Sequence, residues 1–324
     1  MIPAIQLSRI TKRFGEKIAV RDFDLSVPRG ALYGFIGPNG AGKTTTIRII
    51  LSILFPDSGE VSVLGRRSAL EAKDRIGYLP EERGVYRKMR VASFLTYMAR
   101  LKGQEGPEVS RKVGSWLERV GLGDTARKRC EELSKGMQQK LQFLAAIVHE
   151  PELLVLDEPF SGLDPVNARL LRDLVLEQHG RGATVLFSTH VMTQAEQLCE
   201  RVVMIDGGRK VLDDTLPGIR RRYTPRAIRF EAADATAEPD PLRALAGVRS
   251  LSAQDGGWRL EVHDGHSPSQ VLAAAVAAVP AARAELVRPT LEDVFVRIVT
   301  GEETRGPGQV ELRAALREEA DDSP

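Results

Sequence analysis

Nine residues, GPNGAGKTT at 37–45, carry the clearest chemistry in the chain. Gly37, Gly42, Lys43 and Thr44 fit the spacing G-x-x-x-x-G-K-[ST], with Pro38, Asn39, Gly40 and Ala41 between them and Thr45 following. Glycines let successive backbone N–H groups turn toward phosphate oxygens, and a helix start adds partial positive charge. Lys43 has the length to reach the β and γ oxygens, and the Thr44 hydroxyl suits Mg²⁺. The expected chemistry is the binding of a nucleotide.

A second set of groups lies far downstream. The stretch ELLVLDEPFSGLD ends an apolar run on two adjacent carboxylates, Asp157 and Glu158. Side chains alternate along a strand, so the two leave its end in different directions, one able to hold the Mg²⁺ shell and the other free to orient water. A third apolar run, VLFSTH, ends on His190. Between the two sites, EELSKGMQQK places Ser134, Lys135 and Gly136 before a helical run, so a second helix start is presented to an anion, with Ser134 as its N-cap.

Positioning these groups requires a strand before each of them. ALYGFIG reads as a buried strand running into the glycine loop, and TTTIRIILSIL at 44–54 reads as the helix after it, stopping before Pro56. ELLVLDEP and ATVLFSTH are short apolar runs suited to buried parallel strands. Residues 1–35 alternate as short antiparallel strands, and 88–150 are mainly helical. The alternation predicts a doubly wound α/β sheet, and ligands of such sheets sit at the carboxyl ends of the strands.

Composition sets the limits. The 324 residues, 42% hydrophobic and 28% charged, suffice for one large or two modest domains. A net charge of +2 supplies no global field for nucleic acid, and no direct nucleic-acid partner is expected. No secretory leader and no membrane-spanning run is read, and Cys130 and Cys199 are expected as ordinary thiols. The texture changes at LPGIRRRYTPR and EAADATAEPDP. The expected division is 1–221, with a helical part at about 88–135, then a small α/β domain over 222–300 and a weakly ordered tail over 301–324.

Together, GPNGAGKTT, LSKGM, LLVLDEP, SGLD and STH resemble the ATP-binding cassette family, the nucleotide-binding subunits of ABC transporters, over roughly residues 4–220. The resemblance implies a P-loop NTPase cassette with a mostly parallel core sheet, an antiparallel N-terminal β subdomain and a helical subdomain. It implies ATP and Mg²⁺ as ligands, with Thr44 and Asp157 on the metal. Phe14 would stack on adenine, Glu158 would polarise the attacking water, His190 would contact the γ-phosphate, and Asp164 would connect two nucleotide sites. Ser134 and Gly136 would reach the γ-phosphate bound by the other subunit of a head-to-tail dimer, formed with a second copy or a related cassette.

Two positions depart from the family pattern. Glu81 stands where a Gln is usual, and a carboxylate there can still ligand Mg²⁺ while adding negative charge near the γ-phosphate. Lys135 and Met137 replace a Gly and a Gln in the segment around Ser134. YLPEERGVYRKM and RPTLEDVFVRIVTG look like cassettes of drug and sodium exporters that work with a separate permease and carry a small accessory domain. The resemblance therefore implies an ATPase at the cytoplasmic face of the cell membrane. The alternative expectation is a soluble cassette ATPase acting on nucleic acid or the ribosome.

Overall fold

The structure is a computed structural model and describes residues 2–82, 84–223, 226–234, 236–254, 256–263 and 265–300. The tail expected over 301–324 lies outside the described residues. The alternating N-terminal segment forms β1 (Ile5–Phe14) and β2 (Lys17–Val27), paired antiparallel. β3 (Leu32–Ile36) is buried throughout and leads into the glycine loop and α1 (Lys43–Ile50). β4 (Ser58–Val63) pairs with β1, giving a three-stranded antiparallel sheet in the order β2-β1-β4.

β5 (Ile76–Leu79) precedes a helical stretch of α2 (Val91–Leu101), α3 (Glu108–Arg119) and α4 (Lys135–Ile147). β6 (Leu153–Asp157), α5 (Pro165–Gly180), β7 (Thr184–Thr189), α6 (Met192–Leu198), β8 (Arg201–Asp206) and β9 (Arg209–Thr215) follow. The main sheet has the order β5-β6-β7-β3-β8-β9, parallel except for β9. All residues of β3, β6 and β7 are buried, as a parallel sheet covered on both faces requires. This order brings the ends of β3, β5, β6 and β7 to one sheet edge.

α1 is shorter than its apolar pattern predicts. Ser52 takes a left-handed φ of 56°, and the Arg48 carbonyl accepts from both Ile53 and Leu54 N–H, so the chain turns out of the helix after Ile50. Apolar recurrence carries no information about that turn.

The chain divides between Leu216 and Pro217 into two compact units. The second holds most of α7 (Leu216–Arg222), then β10 (Ala227–Ala232), α8 (Asp240–Arg243), β11 (Val248–Gln254), β12 (Gly257–Val262), α9 (Pro268–Ala278), β13 (Ala281–Val287) and α10 (Leu291–Thr300). Its sheet is antiparallel, in the order β11-β12-β10-β13. Ile228, Phe230 and Leu260 pack against Val271 and Ala275 of α9. AIRFEA and WRLEVHD supply the two inner strands, whereas β11, mostly exposed and polar, and β13, half-buried and Ala-rich, are edge strands that carry a weak alternation signal.

Candidate nucleotide site

The glycine loop is shaped by its neighbours. Gly42 has φ of 110°, and a Cβ there would collide with the Ala19 carbonyl; one on Gly37 would collide with the Ile205 carbonyl. The Ala41 carbonyl accepts from Gly208 N–H at 2.9 Å, which ties the loop to the β8–β9 turn. Around Gly40, by contrast, a Cβ would meet nothing within 4 Å. Lys43 is buried, and its Nζ donates to the carbonyls of Gly37 at 2.8 Å and Pro38 at 3.2 Å. The ammonium thus rests on the loop that would hold phosphates.

At the end of β6, Asp157 and Glu158 are both buried. The Ser188 hydroxyl, from the paired position on β7, donates to Asp157 Oδ1 and accepts from Glu158 N–H at 3.0 Å. Asp157 Oδ2 is buried with no hydrogen-bond partner among the described residues. Burial pushes the Asp157 carboxyl above its usual range, against the lowering effects of Ser188 and the nearby Thr44 hydroxyl. An orphaned carboxylate oxygen beside a hydroxyl, at the mouth of a phosphate loop, fits Mg²⁺.

Glu158 adopts a left-handed φ of 47°, unusual outside glycine, at the point where the chain leaves the strand. Its Oε1 lies 3.0 Å from His190 Nδ1 and 3.4 Å from Lys43 Nζ. Burial raises its pKa, but His190 and Lys43 outweigh burial and hold the carboxyl below its usual range. Glu158 is therefore an ionised carboxylate in a desolvated place, able to accept a hydrogen bond from water.

A cavity of about 360 Å³ opens against these groups. Phe14, Lys17, Asn39, Gly42, Thr44, Thr45, Glu81 and Glu158 are among its lining residues. Phe14, at the end of β1, is 50% exposed, and the Lys12 ammonium lies over its ring 5.6 Å from the centre. Glu81 follows β5, and burial together with Asp157 and Glu158 raises its pKa. The structure thus gathers Phe14, the loop, Glu81, Asp157, Glu158 and His190 at one sheet edge.

Ser134, Gly136 and Asp164 are not among the residues lining that cavity. Ser134 caps α4, its hydroxyl accepting from Met137 N–H at 3.3 Å. Asp164 caps α5, accepting from Val166 and Asn167 N–H at 3.0 Å. Two site residues escaped the sequence reading. Ser188 stands inside STH, but only the register of β6 against β7 brings it to Asp157, which no local signal announces. Lys17, in the β1–β2 turn region, gave no local signal.

Strand order, phosphate loop and the acidic strand end define a P-loop nucleotide-hydrolysing domain. A family profile described as "ABC transporter" matches residues 20–161, and another, "ATP-binding protein DrrA1-3-like, C-terminal domain", matches 215–299. The uncharacterized ABC transporter ATP-binding protein YhaQ of Bacillus subtilis (strain 168) is 39% identical over 295 residues, covering 91% of this chain and 98% of YhaQ. The daunorubicin resistance ATP-binding protein DrrA3 of Streptomyces coeruleorubidus is 33% identical over 312 residues, covering 93% and 97%. A solved ATP-binding subunit of an ABC transporter superposes with a TM-score of 0.64 at 31% identity, covering 68% of this chain and 93% of that one. The chain belongs to the ABC transporter ATP-binding proteins, ATPases whose hydrolysis is coupled to transport. Among the described residues no helix is long and apolar enough to cross a membrane.

Proposed function

We propose that this chain binds and hydrolyses ATP with Mg²⁺ as the energising subunit of an exporter, bound to a separate permease at the cytoplasmic membrane face. The observation that carries the catalytic part is Glu158, ionised and buried between His190 and Lys43. Phe14 would stack on adenine, and the loop N–H groups from Asn39 to Thr45 receive the phosphates. Lys43 exchanges the Gly37 and Pro38 carbonyls for phosphate oxygens. Glu158 accepts a hydrogen bond from the attacking water, and His190 holds that carboxylate in place. Mg²⁺, held by Thr44 and Asp157 with Glu81 beside them, would neutralise charge on the phosphate oxygens.

The cross-site role of Ser134 and Gly136 has its own support. Gly136 lies in the first turn of α4, and a Cβ there would meet only Asn167 Nδ2 at 3.7 Å and Leu163 Cδ2 at 3.8 Å, ordinary contacts. Nothing near Gly136 demands glycine, so the residue suits close approach by a group from outside, the phosphate bound by a second copy. Asp164 would then lie near the same junction. Export is favoured by the likeness to a daunorubicin resistance protein over nearly the whole chain and by the match of the 215–299 segment. For the 222–300 domain we propose an accessory role in that assembly. Affinity purification from membranes tests the reading: a polytopic permease should co-purify and raise the ATPase rate, and recovery with nucleic acid or ribosomes instead would overturn it.

A further inference from the structure

Helix α4 does more than present Ser134. Gln139 and Gln142 lie three residues apart on it, 8% and 6% exposed. Gln139 Nε2 donates to the Pro159 carbonyl at 2.8 Å, and Gln142 Nε2 donates to the Glu82 carbonyl at 3.1 Å. Pro159 directly follows Glu158, and Glu82 directly follows Glu81. One helix therefore grips, through two buried amides, the backbone next to both carboxylates that face the cavity. Gln139 Oε1 is buried without a hydrogen-bond partner among the described residues, so the donor side is the one that this side chain satisfies.

We infer that Gln139 and Gln142 are positioning residues that transmit engagement of the α4 N-terminus by a second copy to Glu158 and Glu81 of the same chain. The inference rests on the cross-site reading of Ser134. α4 is a 13-residue helix, so a shift at its N-terminus moves the two amides with it. Each amide then carries a backbone carbonyl, and with it the adjacent carboxylate. Hydrolysis in one site thereby depends on nucleotide in the other, because the α4 start of each chain would contact the phosphate held by its partner. Ångström-scale misplacement of a catalytic group costs on the order of 100-fold in rate, so such a linkage can switch turnover without altering nucleotide contacts.

The test uses Gln139→Met and Gln142→Met, which keep length and packing but lose the donor. Lys140→Met is the control, because Lys140 Nζ on the same helix donates to the Val120 carbonyl at 2.9 Å, a bond that reaches neither carboxylate loop nor Ser134. ATPase kinetics of the full chain should show kcat lowered about 10- to 100-fold in either linkage variant. KM for ATP should stay within about twofold, and the Hill coefficient should fall toward one. Lys140→Met should keep the rate and cooperativity of the parent chain. Parental kcat and Hill coefficient in both linkage variants would overturn the inference, as would equal losses in Lys140→Met. If one linkage variant does not fold, the other decides. Ser134→Arg separates the two readings: if it still forms an ATP-driven dimer, the cross-site reading fails, whereas if it stays monomeric while Gln139→Met and Gln142→Met hydrolyse normally, only the linkage fails.

Discussion

Glu158 Oε1 stands 3.0 Å from His190 Nδ1, and both residues sit just past the ends of adjacent parallel strands. The two atoms meet as a close charge contact without hydrogen-bond geometry, in a place where burial alone would favour protonation of the carboxyl. Glu158→Gln keeps size and shape but removes the basic oxygen. ATP affinity of the monomer should stay within a few-fold of the parent, while kcat falls about 10²- to 10⁴-fold, the usual worth of a general base. Fluorescent-nucleotide titration and phosphate release measure the two halves separately. Parental turnover would remove Glu158 from the reaction.

The same contact predicts a pH effect. Burial raises the Glu158 pKa, and His190 and Lys43 together bring it below the ordinary carboxylate value. A lowered pKa keeps the carboxylate ionised as pH falls, so the acid limb of kcat/KM that belongs to Glu158 lies below the ordinary Glu range. His190→Ala removes the largest lowering influence. Its acid limb should move to higher pH, read from a rate profile taken down to the limit of protein stability. An unmoved limb in the variant would show that His190 does not set the charge of Glu158.

Glycines of the phosphate loop should not be equivalent. A methyl at Gly42 would collide with the Ala19 backbone, where the φ of 110° already disfavours a side chain. Gly40 has open space around its missing Cβ and carries only the cost of its left-handed φ of 74°, about 1–2 kcal/mol. Gly42→Ala should therefore lower Tm well beyond Gly40→Ala and abolish ATP binding. Thermal unfolding with and without ATP tests the order.

That contrast shows where sequence reading stops. G-x-x-x-x-G-K-[ST] predicted the loop and its ligand class, since the spacing itself encodes a turn followed by a helix. Which glycines the fold requires depends on the Ile205 and Ala19 carbonyls, brought there by β8 and β2 from far along the chain. Apolar runs predicted β3, β6 and β7 because strands buried on both faces leave a strong signal. Neither the left-handed φ of Glu158 nor the double use of the Ser188 hydroxyl has a local signature, because each arises only when β6 and β7 pair. The Gln139 and Gln142 bonds were equally silent, since their acceptors are backbone atoms identical in every residue type.

Asp157 should be held at a cost to the nucleotide-free fold. Its pKa is raised chiefly by burial, so the unfolded chain gives up the proton more readily than the folded one. Stability from this group is then lost as pH rises through the unfolded value toward the folded one, and the full penalty stands at neutral pH. Asp157→Asn should raise the Tm of the nucleotide-free protein near pH 7, with a smaller gain at acid pH. The same change removes the carboxylate proposed to hold Mg²⁺, and losing several kcal/mol of charge stabilisation should lower kcat about 10³-fold. Calorimetry at two pH values and a Mg²⁺ titration of the ATPase rate check both parts. A lower Tm in the variant would mean that Asp157 supports the fold more than burial opposes it.

Ser134 has a local duty and a proposed distant one, and two substitutions separate them. Its hydroxyl caps α4 by accepting from Met137 N–H, a contact worth about 1 kcal/mol. Ser134→Ala loses the cap and the hydroxyl but leaves the helix start open, so it should lower Tm modestly while retaining some ATP-driven association. Ser134→Arg loses the same cap and places a long cation where a second copy would approach. In the Glu158→Gln background, where bound ATP would persist, size-exclusion chromatography with Mg-ATP should show a dimer for the parent and a weakened dimer for Ser134→Ala. Only monomer is expected for Ser134→Arg, with monomer ATP affinity equal in all three, because Ser134 does not line the cavity of its own chain. Equal dimer fractions for the Ala and Arg variants would confine Ser134 to capping, whereas loss of ATP affinity in the monomer would place it in its own site.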